Sequence, residues 1–318
     1  MNRYQVLISD PLPADARRIL EASGRIDVHD KHKDYEALLP GIHGWIVRSG
    51  TTVTKALLEK CPALTCICRA GAGVDNVDVA TATERRVVVM NTPGGNANAA
   101  AELSITLLLA LVRKVPFAHA SMAKGGWDRK LVGIEVEGKR LGVLGLGKVG
   151  RVVARKARGL GMQVIGVDPF VTADDARALG ITMTTLEEML PSVDFLSLHT
   201  PLNNETRNMF AKERFSAMKR GAYIVNVSRG GVIDETALLA ALEAGQLSGA
   251  ALDVFATEPL PADSPLRNHP KIVLTPHLGA GTVEAQDQVA FQSAEQIRDY
   301  LLSGKIANSV NAAKLGMA

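Results

Sequence analysis

The stretch that decides the fold is residues 140–170, "RLGVLGLGKVGRVVARKARGLGMQVIGVDPF". An apolar run leads into Gly145, Gly147 and Gly150, which have the spacing G-x-G-x-x-G, and an Ala- and Arg-rich segment with helical spacing follows. A second apolar run, "QVIGVD", ends in Asp168, eighteen residues beyond Gly150. The order strand, glycine turn, helix, strand predicts the first βαβ unit of a doubly wound parallel sheet.

Each glycine of this turn has its own expected task. The first permits a tight turn, the second lets the backbone approach a pyrophosphate, and the third allows the helix and the strand to pack closely. Asp168 is placed to accept hydrogen bonds from ribose hydroxyls, and Pro169 and Phe170 follow it instead of an arginine. Because a fixed carboxylate repels a 2′-phosphate, the pattern predicts NAD rather than NADP. A glycine turn without a ligand is the alternative.

β-rich runs alternate with helical spacing along the rest of the chain, which predicts an α/β fold with parallel sheets. The first series is "YQVLIS", "GWIVRS", "LTCICRA" and "RVVVMN", and the second runs from "KRLGVLGLG" through "VDFLSLHTP" and "GAALDVF" to "KIVLTPH". With 318 residues, two domains are expected. We predict a Rossmann NAD-binding domain at 98–287, inserted into a smaller flavodoxin-like substrate-binding domain formed by 1–97 and 288–318.

Two helical stretches mark the expected domain connections. A helix-forming stretch of about 25 residues follows "NTPGGN", beginning beside Asn96 and Asn98. A last helix is expected around 284–303, returning to the first domain. The longest apolar run, "LSITLLLALV" at 103–112, is shorter than the roughly 20 residues needed to cross a bilayer, which indicates a buried helix.

Composition excludes several classes of function. Only 4% of the residues are aromatic, and 36 Lys and Arg stand against 33 Asp and Glu with no run of five like charges, so neither a nucleic-acid partner nor a membrane partner is expected. The N-terminus does not resemble a signal peptide, and the cytoplasm is the expected location. Cys61, Cys66 and Cys68 fit neither a disulfide framework nor a zinc site, so we expect reduced structural cysteines and no metal.

Three residues that can carry chemistry follow predicted strands. Arg229 comes after "YIVNVS", Glu258 after "LDVFAT" and His277 after "IVLTP". Ligands of open α/β sheets bind beyond the carboxyl ends of the strands, so the three are expected to converge. Histidine suits the removal of a hydroxyl proton, a carboxylate can hold its ring, and arginine can pair with a substrate carboxylate. Taken singly, each also has an ordinary structural interpretation, as a surface arginine, a loop acid or a packed histidine.

Several motifs together resemble a known family. "GLGKVG", "VDP", "HTPL", "NVSRGGVIDETAL", "GAALDVFATEP" and "TPHLGA" occur in the order and spacing of the D-isomer-specific 2-hydroxyacid dehydrogenases, and the resemblance covers nearly the whole chain. It implies that His277 is the acid/base, Glu258 its partner and Arg229 the anchor of the substrate carboxylate. It also implies a set of NAD contacts: Gly145, Gly147, Lys148, Val149, Gly150, Asp168, Thr200, Val227, Ser228, Arg229, Asp253, His277, Gly279 and Ala280. Asp253 is expected near the nicotinamide amide.

The substrate is expected to be a small 2-hydroxy or 2-keto acid. Arginines of the first predicted domain and of the segment "WDRK" are expected to bind it. Arg48, Arg69 and Arg129 together could hold one phosphate group, although each alone can be an ordinary surface arginine. The predicted substrate-binding set is Arg48, Ser49, Arg69, Ala72, Gly73, Arg129, Arg229 and His277. Gly71 and Gly73 lack a third glycine, since Asn76 stands in its place, and Ala72 stands where relatives often carry a hydroxyl.

The resemblance also bears on the assembly and on the exact activity. It implies a homodimer in which Arg129 reaches the site of a second subunit, and a short form of the family, ending at Ala318, without an appended regulatory domain. The expected activity is the NAD-dependent oxidation of a phosphorylated 2-hydroxy acid. The alternatives to it are a hydroxypyruvate or glyoxylate reductase, another D-2-hydroxyacid dehydrogenase, or a dinucleotide-sensing binding protein like the corepressors that resemble this family.

Overall fold

The computed structural model describes residues 3–317, so Met1, Asn2 and Ala318, at the ends of the predicted substrate-binding domain, lie outside the described residues. The chain forms two compact units. One takes the described residues up to Asn96 and from Ala280 onward, and the other is Ala97–Gly279. The second boundary lies eight residues before the 288 expected from the sequence, because the whole last helix belongs to the first unit.

Strands and helices alternate along the described residues. The strands are β1 Tyr4–Ile8, β2 Ile26–Asp30, β3 Gly44–Val47, β4 Cys66–Arg69, β5 Val88–Asn91, β6 Arg140–Leu144, β7 Gln163–Val167, β8 Thr182–Met183, β9 Phe195–Leu198, β10 Ala222–Asn226, β11 Leu247–Leu252 and β12 Ile272–Leu274. The α-helices are α1 Ala14–Glu21, α2 Lys55–Glu59, α3 Val79–Glu84, α4 Ala97–Val112, α5 Val115–Ala123, α6 Lys148–Gly159, α7 Ala173–Ala178, α8 Leu186–Met189, α9 Lys212–Ala217, α10 Glu235–Glu243 and α11 Val283–Ser303. Short 3₁₀ helices cover Glu36–Gly41, Gly230–Val232 and Ala312–Leu315.

The first unit contains a five-stranded parallel sheet in the order β2-β1-β3-β4-β5. This is the flavodoxin-like order, as predicted. Apolar residues cover both faces of the sheet; α1 and α11 pack on one of them, and the buried Trp45 lies on the other. The C-x-C cysteines lie on β4, and all three cysteines are buried and free of disulfides. Because β3 and β4 are parallel neighbours, the loops that follow them emerge together at the carboxyl edge of this sheet.

The second unit contains a seven-stranded parallel sheet in the order β12-β11-β10-β9-β6-β7-β8. The strand order reverses between β6 and β9, which is the switch point at which ligands bind in doubly wound sheets. Two clusters of buried apolar residues cover the two faces. The predicted α/β class and the Rossmann arrangement are confirmed, and β10, β11 and β12, the strands that precede the three candidate chemical residues, are neighbours in the sheet.

The expectation of one connecting helix after "NTPGGN" is wrong, because two helices, α4 and α5, occupy that stretch. α4 and α5 meet at a 65° bend, because Lys114 has a left-handed backbone (φ 58°) and Pro116 occupies the first turn of α5. α4 is mostly buried, whereas α5 has no buried residue. Within residues 3–317 no single helix meets the length and hydropathy expected of a membrane span, and α4 with α5 meets them only as this bent pair.

Candidate active site

The glycine turn lies between β6 and α6, and the structure separates the tasks of its three glycines. Gly145 has a φ of 91°, and a Cβ there would lie 2.6 Å from the His199 carbonyl oxygen. A Cβ on Gly150 would lie 1.9 Å from the Gly145 carbonyl oxygen, so helix and strand approach too closely for any side chain. A Cβ on Gly147 would meet no atom within 4 Å. The second glycine is thus not required by the fold and leaves open space above the turn.

The N-terminus of α6 faces this open space. Its N-cap, Gly147, has no side chain and so makes no side-chain capping hydrogen bond. Lys148 is exposed, while Val149 is half-buried against the core. The N–H groups at a helix N-terminus and the helix dipole favour an anion, so the turn fits the pyrophosphate of a dinucleotide.

Asp168 follows β7 and is held by the chain itself. Its Oδ2 accepts the Leu146 N–H at 2.7 Å, and its Oδ1 accepts the Phe170 N–H at 2.8 Å. Each oxygen keeps a lone pair for a further donor. The carboxylate is therefore fixed beside the glycine turn and can still accept hydrogen bonds from ribose hydroxyls.

Thr200 and His199 follow β9 on the other side of the turn. The Thr200 hydroxyl is buried and has no hydrogen-bond partner within the described chain, which fits a contact with a bound group. His199 Nε2 lies 2.8 Å from Ser197 Oγ, and burial lowers the pKa of His199 to about 4, so its ring is neutral at neutral pH. The sequence interpretation missed His199, although "LSLHTP" places it directly before Thr200.

Arg229 is carried by a tight turn after β10. The buried Asn226 organises this turn, because its Oδ1 accepts the Ser228 N–H and hydroxyl while its Nδ2 donates to the Arg229 carbonyl at 2.8 Å. The next residue, Gly230, packs against the backbone of Phe255, where a Cβ would lie 1.9 Å from the carbonyl carbon. This close approach brings the Arg229 turn against the segment that carries Glu258.

Glu258 and His277 form a short hydrogen bond, 2.6 Å between Glu258 Oε2 and His277 Nδ1. Burial by itself would raise the pKa of Glu258. Hydrogen bonds from His277 and the Phe255 N–H, together with positive charge from His277 and Arg229, outweigh it and lower the pKa below the ordinary value. The His277 side chain remains 48% exposed, so a small molecule can reach the ring.

Asp253 lies just after β11, fully buried, and faces the backbone around His277. Its Oδ1 accepts the Thr275 hydroxyl and the Leu278 N–H, and its Oδ2 accepts the Gly279 N–H. Desolvation raises the pKa of Asp253 despite these donors and the nearby His277. Val227 is buried next to Gly279, where a Cβ would lie 3.2 Å from Val227 Cγ1. Ala280, next in the chain, begins the second segment of the other unit.

The first unit holds part of the predicted substrate-binding set at one edge of its sheet. Val47, directly before Arg48, pairs with Arg69, so the two arginines follow or end neighbouring parallel strands. Asn76 ties the two loops together by donating to the carbonyls of Arg48 and Thr51, both at 2.6 Å.

The smaller members of that set lie in the same two loops. Ser49 and Ala72 are exposed and Gly73 is half-buried. The Arg69 guanidinium occupies the space that a Cβ on Gly71 would need. Arg129 belongs to the second unit, in an exposed segment after α5. No group of three or more His, Cys, Asp or Glu among residues 3–317 could hold a metal ion.

Comparison with known proteins places the chain. Residues 105–279, more than half of it, match the family model described as "D-isomer specific 2-hydroxyacid dehydrogenase, NAD binding domain". The chain is 43% identical over 321 residues to the D-3-phosphoglycerate dehydrogenase of Rattus norvegicus, and 43% identical over 317 residues to that of Methanocaldococcus jannaschii, covering 100% and 96% of this chain. It spans 60% and 59% of the length of these relatives.

Solved structures agree with this placement. A glyoxylate reductase from Paecilomyes thermophila superposes with a TM-score of 0.88 at 28% identity, covering 98% of this chain and 100% of that one. The D-lactate dehydrogenase of Aquifex aeolicus, solved with NAD and lactic acid, gives 0.81 at 27% identity, covering 96% and 98%. The NAD assignment from the glycine turn is confirmed at the level of the family. The chain belongs to the D-isomer-specific 2-hydroxyacid dehydrogenases, and its second unit contains their NAD-binding domain.

Proposed function

We propose that this chain catalyses the NAD-dependent oxidation of the C2 hydroxyl of D-3-phosphoglycerate to 3-phosphohydroxypyruvate, the entry to serine synthesis, and the reverse reduction. The observation that carries the proposal is the 2.6 Å hydrogen bond between His277 and Glu258 at the carboxyl edge of the NAD-binding sheet. The relatives named D-3-phosphoglycerate dehydrogenase support this substrate.

The His277–Glu258 pair can carry the proton transfer in both directions of the reaction. Because the pKa of Glu258 is lowered, its carboxylate is ionised at neutral pH and accepts a hydrogen bond from the His277 Nδ1–H. The lone pair on Nε2 is then free to take the proton of the substrate hydroxyl, and Glu258 stabilises the cation that forms. In the reverse direction the same nitrogen donates. NAD, when bound, supplies the hydride acceptor.

Arg229 is proposed to hold the substrate carboxylate. Its guanidinium acts on Glu258 through its charge, so it lies in the same electrostatic neighbourhood as the proton-transfer pair. A two-pronged pair with a carboxylate would fix the orientation of the adjacent carbon and its hydroxyl relative to His277. Three features would hold the dinucleotide. The glycine turn leaves open space at Gly147, Asp168 keeps lone pairs for ribose hydroxyls, and the Thr200 hydroxyl has no partner within the described chain.

Arg48, Arg69 and Arg129 are proposed to bind the phosphate of the substrate. The support is the placement of Arg48 and Arg69 at neighbouring strand ends and the exposure of Arg129. We further propose that the first unit acts as the substrate-binding domain and the second unit, Ala97–Gly279, as the NAD-binding domain.

A homodimer is proposed as the working assembly, with Arg129 entering the site of a second subunit. Around α5, which has no buried residue, large apolar side chains are exposed, including Met122 at 51%, Trp127 at 76% and Val132 at 81%. Such a surface is typical of a protein interface.

We also propose that the protein is located in the cytoplasm. Its three buried free cysteines are consistent with that reducing compartment.

A steady-state screen tests the proposed function. NAD and NADP are each combined with D-3-phosphoglycerate, D-glycerate, D-lactate and glycolate, and the reverse reactions with the corresponding keto acids. We expect the highest kcat/KM for D-3-phosphoglycerate with NAD. A preference for unphosphorylated glyoxylate or hydroxypyruvate would instead make the chain a reductase like its structural neighbour. Tight NAD binding without any turnover would indicate a dinucleotide-sensing binding protein.

Arginine variants test the phosphate site within the same screen. Arg48→Ala and Arg129→Ala should each lower kcat/KM for the phosphorylated acid by about tenfold or more, as loss of a charge-assisted contact predicts, and change it little for D-lactate. Arg17→Ala, which removes an exposed arginine on α1 paired with Glu21, is the matched control. Equal losses for both acids would contradict the phosphate assignment.

A further inference from the structure

The backbone of His277 adopts a conformation that side-chain-bearing residues rarely accept. Its φ is 56°, in the left-handed region, where the Cβ crowds the following peptide group. Such an angle costs free energy for a residue with a side chain, and contacts from the surrounding structure can offset that cost. The question is which contacts do so.

Asp253 supplies them from both sides of the histidine. Its own carbonyl accepts the His277 N–H at 2.8 Å. Its carboxylate accepts the Thr275 hydroxyl at 2.6 Å before the histidine, and the N–H groups of Leu278 and Gly279 at 2.7 and 2.9 Å after it. One buried residue therefore receives donors from every part of the turn 275–279 except Pro276, which has no N–H.

This arrangement also links two neighbouring strands. Asp253 follows β11 and Thr275 follows β12, and the last residues of those strands, Leu252 and Leu274, are paired in the sheet. The Thr275 N–H donates to the Leu252 carbonyl at 3.0 Å, which continues the ladder by one step. The start of the turn that carries His277 is thus hydrogen-bonded to the sheet.

The backbone angle decides where the ring points. With the residues on both sides fixed, the left-handed angle directs the imidazole of His277 towards Glu258, 2.6 Å from Oε2. A relaxation of His277 to the right-handed region would swing its Cβ to another direction and break this hydrogen bond. The hydrogen bond in turn selects the ring form that carries its proton on Nδ1.

We propose that Asp253 and Thr275 are positioning residues, which hold His277 in the left-handed conformation and so keep Nδ1 on Glu258 and Nε2 open for the substrate. The Thr275 hydroxyl contributes by fixing the Asp253 carboxylate and the start of the turn. This inference rests on the proposed function for its catalytic consequence, but the ring geometry that it describes does not depend on any substrate. The role adds to the nicotinamide contact expected of Asp253, because Oδ2 accepts one N–H from the chain and keeps a lone pair for a further donor.

The test compares Thr275→Val, which keeps the shape and removes the hydroxyl, with Thr275→Ser, which keeps the hydroxyl. Thr81→Val is the matched control, since the Thr81 hydroxyl donates to the Asp78 carboxylate at 2.8 Å in the other unit. Long-range ¹H–¹⁵N NMR of the histidine rings reads which nitrogen of His277 carries the proton, with the signal assigned by its loss in His277→Gln. Steady-state kinetics with the best substrate of the screen gives kcat and KM.

We expect wild type, Thr275→Ser and Thr81→Val to show His277 with the proton on Nδ1. Thr275→Val should give a mixture of the two ring forms and a kcat lower by about 10- to 100-fold, the range of a misplaced catalytic base, with KM within threefold. Thr275→Ser should restore kcat to within about threefold of wild type. Should Thr275→Val not fold, Thr275→Ala makes the same comparison.

The proposal is overturned if the hydroxyl-free variant keeps the wild-type ring form, or keeps kcat within twofold. It is also overturned if Thr275→Ser behaves like Thr275→Val. The NMR result separates this inference from the proposed function. A wild-type protein without turnover of any 2-hydroxy acid refutes the function, whereas the ring forms of wild type and Thr275→Val still decide the positioning role.

Discussion

The same substitution at two glycines three residues apart should affect two different properties, NAD binding at position 147 and stability at position 150. At position 147 the backbone is extended, with φ −68°, and a new methyl group meets no atom within 4 Å, so Gly147→Ala is expected to change the free energy of unfolding by less than about 0.5 kcal/mol. At position 150 the methyl group lies 1.9 Å from the Gly145 carbonyl oxygen, where ordinary contact begins at 3.4 Å. Backbone must therefore move by about 1.5 Å.

The size of each effect follows from these contacts. Overpacking costs about 1–3 kcal/mol, and since the contacted atom of Gly145 is backbone and cannot rotate away, we expect Gly150→Ala to lose about 3 kcal/mol. For a unit of this size that lowers Tm by about 6–12 °C. Gly147→Ala instead places a methyl group where the pyrophosphate approaches, and should weaken NAD binding about tenfold or more, about 1.4 kcal/mol.

Thermal unfolding without NAD and calorimetric titration with NAD measure the two quantities separately. Gly147→Ala should keep the wild-type Tm and lose affinity, and Gly150→Ala should lose Tm. The reasoning is refuted if a fully folded Gly147→Ala binds NAD as tightly as wild type, since the open space above the turn then has no part in binding. Equal destabilisation by the two variants would refute the separation of their tasks.

Three further predictions concern the site. Glu258→Gln should lower kcat by about 10²-fold or more, because an amide cannot stabilise the imidazolium, and unchanged kcat in steady-state kinetics would contradict the proposed pair. Arg229→Lys should raise KM for the acid about tenfold while leaving KM for NAD similar, since a lysine cannot form the two-pronged contact. The free energy of unfolding should fall by about 2 kcal/mol between pH 7 and pH 4.5 on account of His199: its folded pKa of about 4 lies below the ordinary 6.5, so the unfolded chain takes up the proton first. Denaturant titrations should show that drop diminished in His199→Gln and retained in the control His119→Gln, which changes an exposed ring; a full drop in both rules out this source.

The two sheets could be predicted because burial on both faces gives each parallel strand a continuous apolar run, and turns or helical spacing separate the runs. The bend between α4 and α5 could not, because the apolar composition continues through it. Pro116 is the local signal, and proline in a first turn is compatible either with a new helix or with a kink in an old one. The left-handed angle of Lys114, which decides between them, leaves no mark in the sequence.

The site was predictable to the extent that strand ends converge. Parallel neighbours place whatever follows β10, β11 and β12 at one edge, so Arg229, Glu258 and His277 could be grouped from their positions alone. What Asp253 does could not be read in the same way. In the sequence it is one more acid after a strand, and only the tertiary structure shows that its partners lie 22 to 26 residues later and that it is buried among them.

Two carboxylates next to one histidine acquire different tasks from their surroundings. Glu258 is 35% exposed and faces the ring and the charge of Arg229, which lower its pKa and keep it ready to stabilise a cation. Asp253 is fully buried, and desolvation raises its pKa although three donors and the nearby His277 oppose the shift. Environments that move two acids in opposite directions separate their roles. Glu258 accepts the hydrogen bond from the His277 ring, and Asp253 holds the backbone that orients that ring. Loss of Glu258 should therefore impair His277 by removing the charge that stabilises its cation, and loss of Asp253 by changing the direction of the ring.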